Sequence, residues 1–153
     1  MKKRTFPILI IILGLFWQCQ QEKDRTFSIR KDGVGLVDQD TPFADIQSLY
    51  VADSVVIDSV YSLSTTQRIR VFEKGGTHLL SITSSTDSVP GIGNIRIHDP
   101  RYVTDNGIGL ASTFMDVKDQ YEIKKVVTSL SNVVVFVKDH DLYFTIDLSL
   151  IHI

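Results

Sequence analysis

The chain has 153 residues, of which 16 are basic, 18 are acidic and one is a cysteine. Residues 1–18 resemble a removable leader, and the 135 residues after them match the size of one compact domain. This remainder carries 13 basic and 18 acidic residues, which argues against a nucleic-acid partner because such binding needs a basic surface. One cysteine excludes an intrachain disulfide and a cysteine–zinc site.

The first segment has the two parts of a secretory signal. Basic residues 2–4 precede an apolar run over residues 6–17, and Cys19 follows directly. We therefore predict a signal peptide over 1–18 and lipidation of Cys19, which would make the chain a lipoprotein of the bacterial cell envelope, periplasmic or surface-facing. Residues 16–18 are Phe-Trp-Gln, not the small residues usual before a lipidated cysteine. An ordinary signal peptide, an uncleaved anchor and a cytosolic protein remain alternatives, although spanning a bilayer takes about 20 apolar residues.

Residues 19–26 are predicted to form a lipidated tether, because the residues after Cys19 are polar and lack an apolar period. Beyond the tether, alternating apolar and polar residues predict half-buried strands at 68–71, 95–97 and 142–150. The run 133–137 is apolar at every position, which predicts a strand in the middle of a sheet.

Turns and helices are predicted from their own signals. Gly75-Gly76 and residues 139–141 (Asp-His-Asp) separate strand-like runs and predict hairpins. Residues 41–50 begin with Thr-Pro, an N-cap followed by proline, and continue with apolar residues at helical spacing. Residues 113–121 begin with a Thr-x-x-Asp capping box and place Phe, Val and Tyr on one helical face.

The two predicted helices belong to an apparent internal repeat. Residues 33–36 correspond to 107–110 at an offset of 74, and the offset decreases to 64 in the later strands. This pattern predicts an α+β fold, an antiparallel sheet with two short helices on one face, formed by tandem duplication of βαβββ-like units. The units are predicted at 27–91 and 92–153 within one compact domain, with residues 84–93 as their link. Convergence of two stretches on common turn and cap residues is the alternative.

Residues 104–113, with Asp116, Val117 and Tyr121 after them, carry a family resemblance. The segment resembles the Gly-Ile-x-x-Gly/Ser-x-Thr turn that enters a short helix in β-lactamase-inhibitor-protein-like and outer-membrane assembly lipoprotein domains. The whole chain is also similar in pattern to small lipoproteins of Bacteroidota-type bacteria. The resemblance implies this fold and compartment, with protein binding as the common use.

Candidate catalytic chemistry is sparse. The histidines His78, His98, His140 and His152 have no helical i, i+4 pair. Paired aspartates occur at turns without the spacing of an EF-hand loop. We predict no catalytic residue, metal site or cofactor. A small envelope hydrolase or metal-dependent enzyme using His98, Asp99 and Asp105 is the alternative, and it requires His98 to lie near His78 or His140 together with carboxylates.

The predicted function is therefore non-enzymatic. A chain attached to the membrane through lipid on Cys19 would bind an unidentified envelope protein, as an assembly or inhibitor module, and would not bind nucleic acid. Tyr102 and Tyr143 are the predicted partner contacts, because tyrosine on an open sheet face is a common anchor at protein interfaces.

Overall fold

The computed structural model describes residues 24–58, 66–86, 88 and 91–148. The predicted leader 1–18, Cys19, most of the tether 19–26 and the end of the strand predicted at 142–150 lie outside the described residues. The strands in chain order are β1 (Ser28–Arg30), β2 (Gly33–Val34), β3 (Val37–Asp38), β4 (Ser54–Asp58), β5 (Arg68–Phe72), β6 (His78–Ser84), β7 (Ile92–Ile97), β8 (Val103–Thr104), β9 (Ile123–Thr128), β10 (Asn132–Val137) and β11 (Tyr143–Asp147). The helices are α1 (Ile46–Leu49), which follows a 3₁₀ turn at Phe43–Asp45, and α2 (Phe114–Gln120).

The described strands form three sheets, and all but one of the pairings between these strands are antiparallel. The sheet orders are β3-β2-β1-β8, β4-β5-β6-β7 and β11-β10-β9, which we call the first, second and third sheets. The exception is β1 with β8, which pair in parallel. The fold is thus rich in sheet with two short helices. The expected single antiparallel sheet is corrected to three sheets.

The second sheet contains the predicted alternation. Ile69 and Val71 of β5 and Leu80 and Ile82 of β6 are buried on one face, while the residues between them lie on the opposite face. The strands predicted at 68–71 and 95–97 are confirmed as parts of β5 and β7. The Gly75-Gly76 hairpin is confirmed as well, with both glycines at positive φ (116° and 95°), a region that glycine enters at little cost.

The segment predicted as the link between units lies inside this sheet. The predicted link 84–93 contains the end of β6 and the start of β7, and these strands pair antiparallel from Leu80↔Ile97 to Ser84↔Ile92. Strand β7, which the sequence predicted to be part of the second unit, lies in one sheet with β4, β5 and β6. The boundary predicted at residue 91 therefore falls in a hairpin connection.

The third sheet has β10 at its centre, as the run 133–137 predicts. Val135 and Val137 are buried on one face, whereas Phe136 on the other face is 36% exposed. The strand is central but covered on one side only. Residues 139–141 form the predicted hairpin between β10 and β11, with Asp139 at φ 59°.

The predicted capping box at the start of α2 is confirmed. Asp116 N donates to Thr113 Oγ1 at 3.3 Å, and Thr113 N donates to Asp116 Oδ2 at 2.7 Å. Val117 is buried on this helix, but Phe114 is 41% exposed, so the predicted apolar face is only partly covered.

The cap predicted for the earlier helix is wrong. Thr41 Oγ1 accepts the backbone N–H of Asp38 at 3.0 Å and does not cap the 3₁₀ turn, whose N-cap is Pro42. The helical segment still packs through Phe43, Ile46 and Tyr50, all of which are buried.

The buried residues that the structure describes form two clusters. The larger one joins the first and second sheets with α1, and its fully buried side chains include Val37, Ile46, Leu80 and Tyr102. The smaller one joins α2 to the third sheet, and Leu142 packs against both clusters. The two helices thus cover different sheets and do not share one face. Within the described residues, no helix has the length and apolar character that crossing a membrane would require.

Candidate functional site

A groove of about 770 Å³ lies beside the outer strands of the second and third sheets. Strand β7 ends the second sheet and β11 ends the third, and residues 94–98 and 143–146 line the groove. Asn94 Nδ2 donates a hydrogen bond to the hydroxyl of Tyr143 across it. No ladder hydrogen bond joins β7 to β11 among the described residues. The groove therefore has, on each side, a strand edge that is not paired with a further described strand.

The polar face of the second sheet contributes a basic wall to this groove. The wall consists of two cross-strand rows, which the register sets as Arg70–Ser81–Arg96 and Arg68–Thr83–Asn94. All six side chains line the groove. Their face lies opposite the buried residues of β5 and β6, so the same alternation that builds the core collects the arginines here.

The arginines of the basic wall have few acidic partners. Arg70 donates to Asp58 Oδ1 from Nη2 at 2.6 Å and from Nε at 3.2 Å. Arg68 and Arg96 have no ion pair with any residue that the structure describes. Within the described part of the chain, the three arginines thus have one ion pair, and Asp141 is the acidic residue of the groove lining, although the whole chain has a net charge of −2.

Two histidines stack at one end of the wall. The rings of His78 and His98 have centroids 3.8 Å apart, and Phe72 stacks on the other side of His78 at 4.6 Å. The Nε2 atoms of both histidines lie 3.1 Å from Ser81 Oγ. His78 Nε2 also lies 3.2 Å from the Leu80 carbonyl oxygen, which can only accept, so we assign the Nε2 proton to His78.

The environment of His98 favours its neutral form. Its pKa is lowered first by desolvation, then by the nearby His78 and Arg96. A neutral His98 accepts the Ser81 hydroxyl proton at Nε2, while Ser81 Oγ accepts from His78. The serine therefore connects the two rings, and each hydrogen bond has a donor and an acceptor.

The structure brings together only some of the residues that the alternative enzymatic function requires. His98 lies against His78, as that function requires. Asp99, however, is buried and held by Arg101, which donates to both of its carboxylate oxygens and holds its pKa below the usual range. Asp105 lies in the turn after β8, apart from the groove lining. Among the described residues, no group of three or more His, Cys, Asp or Glu is arranged to hold a metal ion.

The two predicted partner contacts, Tyr102 and Tyr143, differ in their exposure to solvent. Tyr143 is 45% exposed at the rim of the groove, consistent with the expected location. Tyr102 is fully buried against Phe27, with ring centroids 5.2 Å apart, so its interpretation as a surface contact is corrected to a core residue. Cys19 and His152 lie outside the described residues, and His140 contacts Tyr121 at the β10–β11 hairpin.

Sequence reasoning missed the basic wall. The alternation at 68–71 and 95–97 was used to predict strands, and the identity of the polar positions was not used. Those positions are Arg68, Arg70 and Arg96, and arginine at three outward positions of two strands is a detectable signal. The pairing of Arg70 with Ser81 and Arg96 needs the strand register, which single-strand periodicity does not contain.

Comparison with protein-family models, curated proteins and solved structures finds no match for this chain.

Proposed function

We propose that this chain is a lipid-anchored protein of the bacterial cell envelope that binds a partner protein in the groove. The observation that carries the proposal is the pair of unpaired strand edges, β7 and β11, on either side of one groove. An unpaired edge presents free backbone donors and acceptors, and extended segments of partner proteins commonly add to such edges. Assembly or inhibition of that partner is the role that the resemblance to envelope domains implies.

Exposed apolar residues beside the groove support the same function. Val127, Phe136 and Tyr143 are exposed on the outer face of the third sheet, and the rings of Phe136 and Tyr143 lie 5.8 Å apart. Aromatic side chains are enriched where protein interfaces are strongest. The acidic net charge of the chain favours a protein over a nucleic acid as the partner.

The lipid on Cys19 would hold this groove at the membrane. Tethering would raise the local concentration of the chain near an envelope partner, so modest contacts in the groove would suffice for stable association. Lipoprotein acylation would attach more than one acyl chain, and stable anchoring needs two membrane signals.

We also infer that the α+β fold arose by tandem duplication. Each half has a short strand, a glycine turn, a short helix and three antiparallel strands: α1-β4-β5-β6 in one and α2-β9-β10-β11 in the other. The parallel pair of β1 with β8 joins Ser28 to Val103, close to the 74-residue offset of the glycine turns. An experimental structure in which the two helix-plus-three-strand groups fail to superpose would contradict the duplication.

Site-specific photo-crosslinking in cells tests the binding function. A photoreactive residue replaces Thr145, which lines the groove, or Gln47, which is exposed on α1 away from it. We expect a discrete crosslinked envelope protein from position 145 and none from position 47. Equal crosslinking at both positions would show that the groove is not the contact site.

The anchor is tested separately by metabolic labelling with a fatty-acid analogue. Wild type should incorporate the label and Cys19→Ser should not. If the wild-type chain takes up no label, the lipid anchor is wrong, whatever the crosslinking shows.

A small envelope hydrolase is the second candidate, and the 3.1 Å contact between Ser81 Oγ and His98 Nε2 favours it. A serine beside a neutral imidazole is the beginning of a nucleophile–base pair. The carboxylate that would orient the base is not supplied by Asp99, which is bound to Arg101. Hydrolysis of p-nitrophenyl acetate or p-nitrophenyl phosphate at equal rates by wild type and His98→Gln would exclude this candidate.

A further inference from the structure

We propose that the basic wall is a binding site for an oxyanion, a carboxylate or phosphate group held between Arg70 and Arg96 above Ser81. The site stands on the arrangement of charges in the wall, and it does not depend on whether a protein occupies the groove.

The strand register places Arg70 and Arg96 on either side of Ser81. Arg70 and Arg96 are both paired with Ser81, one on each neighbouring strand. Adjacent strands are about 4.8 Å apart, so the backbones of the two arginines are separated by about 10 Å. The Arg96 guanidinium can reach over Ser81 from one side, and Arg70, whose Nε and Nη2 bind Asp58 on β4, has Nη1 left for the same anion. Guanidinium groups bind carboxylate and phosphate through paired, charge-assisted hydrogen bonds.

The second row adds a third cation and neutral donors. Arg68 lies next to Thr83, which is followed across the sheet by Asn94. The Thr83 hydroxyl and the Asn94 amide are short polar groups on the same face as the arginines. An oxyanion has several acceptor sites, and these donors can satisfy those that the guanidinium groups leave open.

Among the described residues, the three arginines of the wall have one ion-pair partner, Asp58, and the acidic residue in the groove lining is Asp141. Asp58 binds Arg70 through Nε and Nη2, and neither Arg68 nor Arg96 has an ion pair within the described part of the chain. Like charges gathered on one face repel each other, and a bound anion would relieve that repulsion. The third sheet bounds the groove on its other side.

The histidine stack adjoins the proposed site. The pKa of His98 is lowered first by desolvation, then by His78 and Arg96, so Arg96 acts on this ring as a nearby positive charge. Ser81, which bonds both rings, lies at the centre of the proposed site.

Titration of the ¹⁵N-labelled full chain with inorganic phosphate tests the site. The spectra are recorded in non-ionic detergent at constant ionic strength, with sodium chloride as the reference salt. We expect saturable shifts of the amides of Ser81, Thr83 and Arg96 with phosphate and not with chloride. Arg96→Gln should weaken the apparent affinity about tenfold or more, and Lys124→Gln, an exposed β9 residue outside the groove, should leave it unchanged.

Shifts that grow linearly with both salts, or an Arg96→Gln affinity equal to that of wild type, would overturn the proposal. The dispersion of the amide spectrum confirms in the same experiment that each variant is folded. Failure of the anion site is distinguishable from failure of the proposed partner binding. Crosslinking from position 145 would persist if a partner bound the groove without contacting the basic wall.

A second arm identifies the source of the oxyanion. An end-capped peptide of alternating glutamate and valine is added to the phosphate-saturated chain. Displacement of phosphate with new shifts along β7 assigns the site to carboxylates of an extended protein segment. Retention of phosphate assigns it to a free anion.

Discussion

The rings of His78 and His98 lie nearly parallel, with an interplanar angle of 16° and centroids 3.8 Å apart. Twenty residues separate them along the chain, and the β6–β7 pairing brings them together above Ser81. Desolvation lowers the pKa of His98, and the nearby His78 and Arg96 lower it further. This pair therefore links the stability of the fold to pH.

Stability should fall as the pH decreases from 7 to 5. The pKa of His98 is lowered in the folded chain, so below the unfolded value of about 6.5 the unfolded chain binds more protons than the folded one. This loss of stability is absent above the unfolded pKa. It grows as the pH falls toward the pKa of His98 in the folded chain. Carboxyl groups, which titrate near pH 4, remain ionised over most of this window.

Urea denaturation at pH 7, 6 and 5 measures the effect. The midpoint of wild type should decrease across the series, and that of His98→Gln should decrease less. Parallel decreases in the two chains would mean that the histidine stack is not the titrating element.

Tyr102 should behave as a core residue. Tyr102→Ala removes a fully buried aromatic side chain and should lower the free energy of unfolding by about 3–5 kcal/mol. Tyr102→Phe should be within about 1 kcal/mol of wild type, because the Tyr102 hydroxyl is buried and makes no hydrogen bond of ordinary geometry with any described residue. Tyr143→Ala, at an exposed position, should cost about 1 kcal/mol or less by urea denaturation. A small cost for Tyr102→Ala would restore the interpretation of Tyr102 as a surface residue.

Replacement of Arg101 by lysine should lower the thermal stability of the fold. Arg101 donates to both oxygens of Asp99 and both oxygens of Glu73, and its guanidinium lies 4.1 Å from the centroid of the Phe27 ring. Lysine has no planar fork, so Arg101→Lys should leave the nearly buried Asp99 carboxylate with fewer donors. We expect a clear decrease in Tm, with Lys138→Ala as the control because its pair with Glu122 is exposed. Equal Tm changes would contradict this role.

The capping box should stabilise α2 measurably. Thr113→Ala removes the hydroxyl that accepts from Asp116 N and should cost about 1 kcal/mol. Thr128→Ala, an exposed residue at the end of β9, serves as the control for loss of a threonine. Urea denaturation that shows no difference between the two variants would contradict a role of the cap in stability.

Strands, turns and caps were predictable from the sequence where the residues of that one element are sufficient to identify it. The alternation at 68–71, the Gly75-Gly76 turn and the Thr113 capping box each require only neighbouring residues. The cap at Thr41 was wrong because the hydroxyl is occupied by Asp38 N, in a turn that the spacing does not reveal.

Features that depend on distant pairing were not predictable. Tyr102 is buried beside the two-residue strand β8, which is too short to display a period and is fixed by parallel pairing with β1. The histidine stack and the basic wall depend on the register of β6 with its neighbours, including bulges at Val71/Phe72 and Thr83/Ser84. One added residue in a strand reverses the face of every later side chain.

The most direct test of the proposed binding groove examines position 145 and the basic wall in one measurement. The yield of the crosslinked envelope protein from position 145 is compared between wild type and the double variant Arg70→Gln/Arg96→Gln, with Lys124→Gln as the control. If the partner contacts the basic wall, the double variant should reduce the yield about tenfold or more, since several charged contacts are removed. The control should match wild type. No crosslink from position 145 in any chain, with the folded protein present in the envelope, would contradict the groove as the binding site.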